Sequence, residues 1–154
     1  LSLADIPNIT LKQRANRALM PAIQQMERLR YLNINGTRVS GRALSKHPRL
    51  RLKTFYAARC PISYHALLFL RNSCSRCMQK LSLAGCNYLN EQCLDLIADF
   101  EELTELDLSN CQGLNANDVL VFRETNWRHM KHLNLRGIRG MNKSVIDMLK
   151  TRHM

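Results

Sequence analysis

Cys74 and Cys77 form the sequence CSRC, and a C-x-x-C spacing occurs both in zinc sites and in redox-active thiol pairs. A tetrahedral zinc site needs two further ligands, yet no second C-x-x-C or H-x-H pair stands at metal spacing. His65 is the one histidine close to the pair in the sequence. The sequence therefore favours structural thiols here over a metal or redox role, and it predicts neither a metal nor a cofactor.

Glu105 and Asp107 are the best candidates for paired catalytic carboxylates, because alternate residues of an extended segment project from the same face. The chain shows no Gly-rich phosphate loop, nucleophile elbow or metal-ligand cluster elsewhere. What the two carboxylates can do therefore depends on the element that carries them.

That element belongs to a repeat. The segments LTELDLSNCQGLN (103–115) and MQKLSLAGCNYLN (78–90) carry apolar residues at identical offsets. MKHLNLRGIRGMN and LKTFYAARCPIS follow the same pattern, and LRYLNINGTRVS and LSLADIPNIT follow it more loosely. The steps between repeats are 31, 23, 26, 25 and 27 residues, within or close to the range of roughly 20–29 for leucine-rich repeats. The predicted repeats start near Leu1, Leu32, Phe55, Leu81, Leu106 and Leu133.

Each repeat has the pattern of a short strand followed by a turn and a helix. In LDLSN, Leu106 and Leu108 alternate with polar residues, and NEQCLDLIADF (90–100) has an apolar helical face. An extra helical turn is predicted at 21–26. Since one unit cannot bury both faces alone, stacked units would form a parallel sheet inside and helices outside. We predict one α/β domain over 1–154, a leucine-rich-repeat solenoid of about six repeats shaped as a right-handed horseshoe segment.

Stacking also changes the interpretation of the carboxylates. Lys80 and His132 occupy the position of Glu105 in the adjacent units, about 4.8 Å away per step. An acid between two bases is more simply explained as a solvated row of salt bridges. The sequence therefore predicts a binding module, not an enzyme.

The cysteine that follows several strands narrows the type of repeat. Cys60, Cys86 and Cys111 occupy this position, and we call them the turn cysteines. With ALLFLRNSCSRCMQKLSLAGCNYLN, the pattern resembles the cysteine-containing leucine-rich repeats of F-box proteins, in which Cys74 matches the cysteine that closes the helical part. The resemblance implies buried turn cysteines and substrate recognition for a cullin-type (SCF) ubiquitin ligase. No F-box segment is visible, so a leucine-rich-repeat scaffold without a ubiquitin role remains the alternative.

A horseshoe would present the outward strand residues on its concave face, where we predict that a protein partner binds. Tyr31 and Tyr56 are candidate anchors, because tyrosine combines a large area with a polar tip. The predicted partner-binding residues are Tyr31, Asn33, Asn35, Thr54, Tyr56, Lys80, Ser82, Glu105, Asp107, Ser109, His132, Asn134 and Arg136.

Charge is concentrated in the first half of the chain. Residues 1–77 carry 14 Lys or Arg against 2 acidic residues, a net of +12, whereas residues 78–154 have a net of −1. A solvated basic flank explains this, but so does an acidic or phosphorylated partner attracted by Arg38, Arg42 and Arg59. The alternative scaffold would use this half for an acidic partner or nucleic acid, although the low aromatic content of 6% disfavours nucleic acid.

The composition fits one domain, since 154 residues with 45% hydrophobic content can form a core. The longest apolar run, ALLFL, is far shorter than the roughly 18 residues of a membrane span. Six cysteines without an evident disulfide pattern favour a reducing compartment, cytoplasmic or nuclear. We expect the chain to be a segment of a longer protein that binds a ligase adaptor and cullin through other parts.

Overall fold

A single parallel sheet organises the chain. The computed structural model describes residues 8–10, 19–40, 44–45, 47, 49–125 and 127–150. The strands are β1 (Asn8–Thr10), β2 (Tyr31–Asn33), β3 (Thr54–Tyr56), β4 (Lys80–Ser82), β5 (Glu105–Asp107) and β6 (His132–Asn134). Each strand pairs in parallel with the next along the chain, as predicted.

The register places equivalent residues of successive repeats beside each other. Leu32, Phe55, Leu81, Leu106 and Leu133 are consecutive partners at the middle of their strands. In β2 to β5 this middle residue is buried and its two neighbours are partly exposed. In β6, at the end of the sheet, Leu133 is itself partly exposed.

The first strand differs from the prediction. Ile9, not Leu1, pairs with Leu32, so the first step is 23 residues instead of 31. The predicted start at Leu1 lies outside the described residues, whereas the described pairing has Ile9 as the central residue of the first strand.

Helices connect most of the strands. They are α1 (Leu19–Gln24), α2 (Tyr64–Cys74), α3 (Glu91–Ala98), a 3₁₀ helix (Asp118–Glu124) and α4 (Lys143–Lys150). The last four pack against one another in chain order. Asn90 caps α3 by accepting a hydrogen bond from the backbone N–H of Cys93 at 3.1 Å. The predicted helical turn at 21–26 overlaps α1.

The core runs between the sheet and the helices. Phe55, Phe100 and Phe122 are among its largest fully buried side chains, and Leu83 and Leu108 are also completely buried. Leu94 and Ile97 of α3 enter the same core, as the helical pattern predicts. Among the described residues, no helix is long and apolar enough to span a bilayer.

The turn cysteines connect each repeat to the one before it. The thiol of Cys60 donates to the carbonyl of Ile34 at 2.9 Å, Cys86 to Ala57 at 3.1 Å and Cys111 to Leu83 at 3.2 Å. All three acceptors directly follow a strand of the preceding repeat. The residues before these cysteines, Arg59, Gly85 and Asn110, have positive φ angles of 58°, 67° and 58°. This left-handed step reverses the chain and places the thiol under the preceding turn.

All three carbonyls also accept a second hydrogen bond within their own turn. The backbone N–H of Thr37 donates to Ile34, that of Cys60 donates to Ala57 and that of Cys86 donates to Leu83. Each carbonyl oxygen has two lone pairs, and it is buried, so the thiol of the next repeat satisfies acceptor capacity that water cannot reach. The cysteines are therefore components of the hydrogen-bonded frame as well as small core residues.

We predict that Leu83→Ala and Leu108→Ala each lower the free energy of unfolding by about 2–5 kcal/mol, because each leaves a cavity in a close-packed core. Urea unfolding of the purified protein measures this. The control is Ser82→Ala, next to Leu83 but on the partly exposed side, which should cost well under 1 kcal/mol. Equal costs for Leu83→Ala and Ser82→Ala would contradict the assigned faces.

The turn cysteines should react slowly with a thiol reagent in the native protein and quickly after denaturation. Burial raises the pKa of Cys86 to about 12 and also raises the pKa of Cys111, so little of the reactive thiolate forms at neutral pH. Mass spectrometry after a timed alkylation identifies which thiols have reacted. Rapid native labelling of Cys86 or Cys111 would show that their turns open readily.

Candidate functional site

The outward side of the sheet carries the predicted partner-binding residues. We call it the free face, defined by the first and third residues of β2 to β6. A cavity of about 360 Å³ lies over it, lined by Tyr56, Ser82, Glu105, Asp107 and His132 together with Asn35, Asn134 and the edges of Leu81 and Leu106. The structure thus brings residues of the four adjacent strands β3 to β6, and Asn35 from the turn after β2, to one shallow depression.

Tyr31 and Tyr56 form an aromatic pair on the free face. Their ring centroids are 5.7 Å apart and the rings are inclined at 85°, an edge-to-face arrangement. The register explains the contact, because Asn33 lies beside Tyr56 and Tyr31 is two residues away along β2. Both rings are partly exposed, so the pair offers an apolar surface with two hydroxyl groups beside the cavity.

Lys80 and Glu105 form the ion pair that the stacked repeats predict. Lys80 Nζ is 2.7 Å from Glu105 Oε1, and the side chains are 42% and 38% exposed. Hydrogen bonding to Glu105 raises the pKa of Lys80. An ion pair this exposed contributes little to stability. His132 lies beside Glu105 in the sheet, which completes the base–acid–base order across β4, β5 and β6.

The third strand residue has a structural task in three repeats. Side-chain oxygens of Asn33, Asp107 and Asn134 accept the backbone N–H two residues later, at 3.0, 2.9 and 3.1 Å. Such Asx turns guide the chain out of the strand. The carboxylates of Glu105 and Asp107 are thus bonded to an ammonium group and to a backbone N–H, respectively.

Two further predicted contact residues are also used by the fold. Asn35 accepts the backbone N–H of Ala58 at 2.7 Å, and so joins its turn to the next repeat. Ser109 is only 8% exposed, so its side chain offers little surface to a partner. Thr54, Tyr31 and Ser82 are partly exposed, and His132 and Arg136 are exposed.

The predicted basic flank lies at the carboxyl edge of the sheet, beyond the ends of the strands. Arg38 and Arg59 are exposed there, and Arg59 Cγ lies next to Gly85 of the following turn. Arg42 lies outside the described residues.

A second group of basic residues was not recognised from the sequence. They are Arg30, Arg51 and Lys53, which lie just before β2 and β3 and whose positive charges lower the pKa of Cys77. We call them the amino-edge basic residues. The sequence contains one indication of this group, because Arg30 and Lys53 each stand directly before a strand, at equivalent positions of two repeats.

Another cavity lies on the opposite side of the molecule, between α2, α3 and the 3₁₀ helix. It measures about 870 Å³ and includes Arg71, Asp95 and Asp99 in its lining. Arg71 Nε donates to Asp99 Oδ2 at 2.8 Å, so two of its charged groups are paired with each other. Within the described ranges, no three His, Cys, Asp or Glu residues lie close enough together to hold a metal ion.

Comparison with known proteins shows which fold the chain has. No model of a protein family matches the chain, and no curated protein sequence matches it. Among solved structures, it is similar to an internalin (InlF) of Listeria monocytogenes str. 4b F2365, with a TM-score of 0.64 and 20% identity. The match covers 96% of this chain but 39% of the internalin chain. Internalins are leucine-rich-repeat proteins, so the comparison gives this chain the leucine-rich-repeat fold.

Proposed function

We propose that the chain is a protein-binding module that receives an extended acidic or phosphorylated segment of another protein across the free face. The observation that carries the proposal is the Tyr31–Tyr56 pair beside the cavity of about 360 Å³. Rigid aromatic side chains next to a depression are typical anchors of protein interfaces, because they contribute large contact area at a low entropy cost.

The charge distribution supports an acidic partner and an orientation for it. The free face carries Glu105 and Asp107 in the second half of the chain, whereas the first half has a net charge of +12. An acidic segment would therefore lie over β2 to β4, near Arg38 and Arg59, with its less charged part reaching β6. Electrostatic steering of this kind mainly raises the association rate.

A narrower proposal concerns the cellular role. The cysteine-containing repeats resemble those of F-box proteins, and on that resemblance we propose that the module recognises substrates for a cullin-based ubiquitin ligase. Affinity purification of the full-length gene product, probed for a cullin and its adaptor, tests this role. Absence of both proteins would leave a leucine-rich-repeat scaffold without a ubiquitin role.

Position-specific crosslinking tests the free face directly. A photoreactive phenylalanine analogue at Tyr56 should capture the partner, and one at Tyr88, which is 70% exposed in a turn, should not. Capture from position 88 but not from position 56 would move the interface to the turns. In binding kinetics with the captured partner, Tyr56→Ala should accelerate dissociation about fivefold or more, corresponding to a contact of roughly 1–2 kcal/mol. Tyr56→Phe is the matched control, because it retains the ring.

Charge reversal at Arg38 and Arg59 tests the steering. The Arg38→Glu and Arg59→Glu double variant should slow association at low salt, and the difference from wild type should shrink as salt rises, because charges more than about 8 Å apart are screened at physiological ionic strength. The matched control is reversal of Arg123 in the 3₁₀ helix, on the other side of the chain. An effect confined to the dissociation rate would indicate direct contact instead.

A further inference from the structure

Cys74 and Cys77 lie side by side where α2 ends. Cys74 is the last residue of α2 and is fully buried, whereas Cys77 is partly exposed. The backbone N–H of Cys77 donates to the carbonyl of Cys74 at 3.0 Å, which closes a tight turn. The structure thus places a buried thiol and an accessible thiol at the two ends of one turn.

Both thiols point toward the segment that leads into β3. Cys74 Sγ donates to the carbonyl of Leu50 at 3.8 Å and Cys77 Sγ to that of Leu52 at 3.5 Å. The two acceptors are two residues apart on one extended segment, so the thiols face the same way. Each thiol is also the largest influence on the pKa of the other.

The environment makes the two thiols chemically different. The neighbouring thiol of Cys74 and, to a smaller extent, the positive charges of Arg51, Arg30 and Lys53 lower the pKa of Cys77 to about 7 against the opposing effect of burial. The contact with Cys77 and burial both raise the pKa of Cys74. Cys77 is therefore the accessible nucleophile, and Cys74 holds its proton beside it.

We propose that Cys74 and Cys77 form a peroxide-sensitive dithiol that is converted to an intramolecular disulfide. The Cys77 sulfur attacks one oxygen of hydrogen peroxide and the O–O bond breaks. Cys77 becomes a sulfenic acid, and the other oxygen leaves as water after taking up a proton. The Cys74 sulfur then attacks the Cys77 sulfur, the S–S bond forms, and the hydroxyl leaves as water with the Cys74 proton. Two thiols are oxidised by two electrons, and hydrogen peroxide is reduced to two waters.

The disulfide would change the segment before β3. It removes both S–H donors, so the buried carbonyl of Leu50 and the carbonyl of Leu52 lose these hydrogen bonds. The same segment carries Arg51 and Lys53, and the Lys53 carbonyl accepts from Gln79 and Lys80. Oxidation should therefore loosen residues 49–53 and alter how the amino-edge basic residues are presented.

Peptide mapping after treatment with hydrogen peroxide tests the proposal. Trypsin cuts after Arg76, between the two cysteines, so residues 72–76 and 77–80 separate unless a disulfide joins them. We expect the linked pair of peptides, its disappearance after reduction, and faster amide hydrogen exchange in residues 49–53 of the oxidised protein. Absence of the linked pair, or a disulfide that involves a turn cysteine, overturns the proposal.

Variants separate the roles of the two thiols. Cys74→Ser should accumulate a sulfenic acid at Cys77 that dimedone traps, and Cys77→Ser should abolish both products. Cys93→Ser, at another fully buried cysteine, is the matched control and should still form the link. Arg51→Gln, an exposed change that leaves both cysteines intact, should slow the reaction about two- to tenfold by raising the thiolate's pKa. A dimedone adduct at any cysteine other than Cys77 contradicts the assignment.

Discussion

The stacking of the repeats depends on the hydrogen bonds made to the buried carbonyls that follow strands β2, β3 and β4. The strands are only three residues long, so the sheet alone supplies few hydrogen bonds. The turns continue the ladder: Gly85 N–H donates to Ser109 O and Asn110 N–H donates to Arg136 O in the next repeat. The thiols of Cys86 and Cys111 donate in the opposite direction, to the preceding repeat. Neighbouring repeats are thus held by donors that run both ways.

The free face shares its polar groups with this frame. The side chains of Asn33, Asp107 and Asn134 hold their own turns, so a partner cannot use all their capacity without competing with the fold. Among the described residues, the side chains of Tyr31 and Tyr56 make no such hydrogen bond to a turn. The residues that shape the sheet and the residues that can bind are therefore interleaved on one surface, which presents the aromatic pair on a fixed support.

The sequence predicted the parts of the structure that follow from a regular spacing. The offsets of Leu81, Leu106 and Leu133 were sufficient to predict parallel pairing in this register, because identical units stack with identical residues adjacent. Where the spacing was loose it gave less guidance, since the predicted start was Leu1 and the strand paired with Leu32 is centred on Ile9. The ion pair between Lys80 and Glu105 could be predicted for the same reason. The influence of Arg30, Arg51 and Lys53 on Cys77 could not be predicted, because these residues belong to different repeats and their proximity to Cys77 depends on the packing of the folded chain.

The thiol-to-carbonyl bond always spans one repeat, and this has a consequence for how the length of such a chain can change in evolution. Cys111 bonds to Leu83, and Cys86 bonds in the same way to Ala57, the equivalent residue one unit earlier. Unequal recombination that removes the 25 residues from one strand centre at Leu81 to the next at Leu106 would bring Cys111 to the carbonyl of Ala57. The new junction would have the same donor and acceptor as the old one. A whole repeat that carries a turn cysteine can therefore be gained or lost without creating an unsatisfied buried carbonyl, whereas a deletion of a fraction of a repeat would separate donor from acceptor.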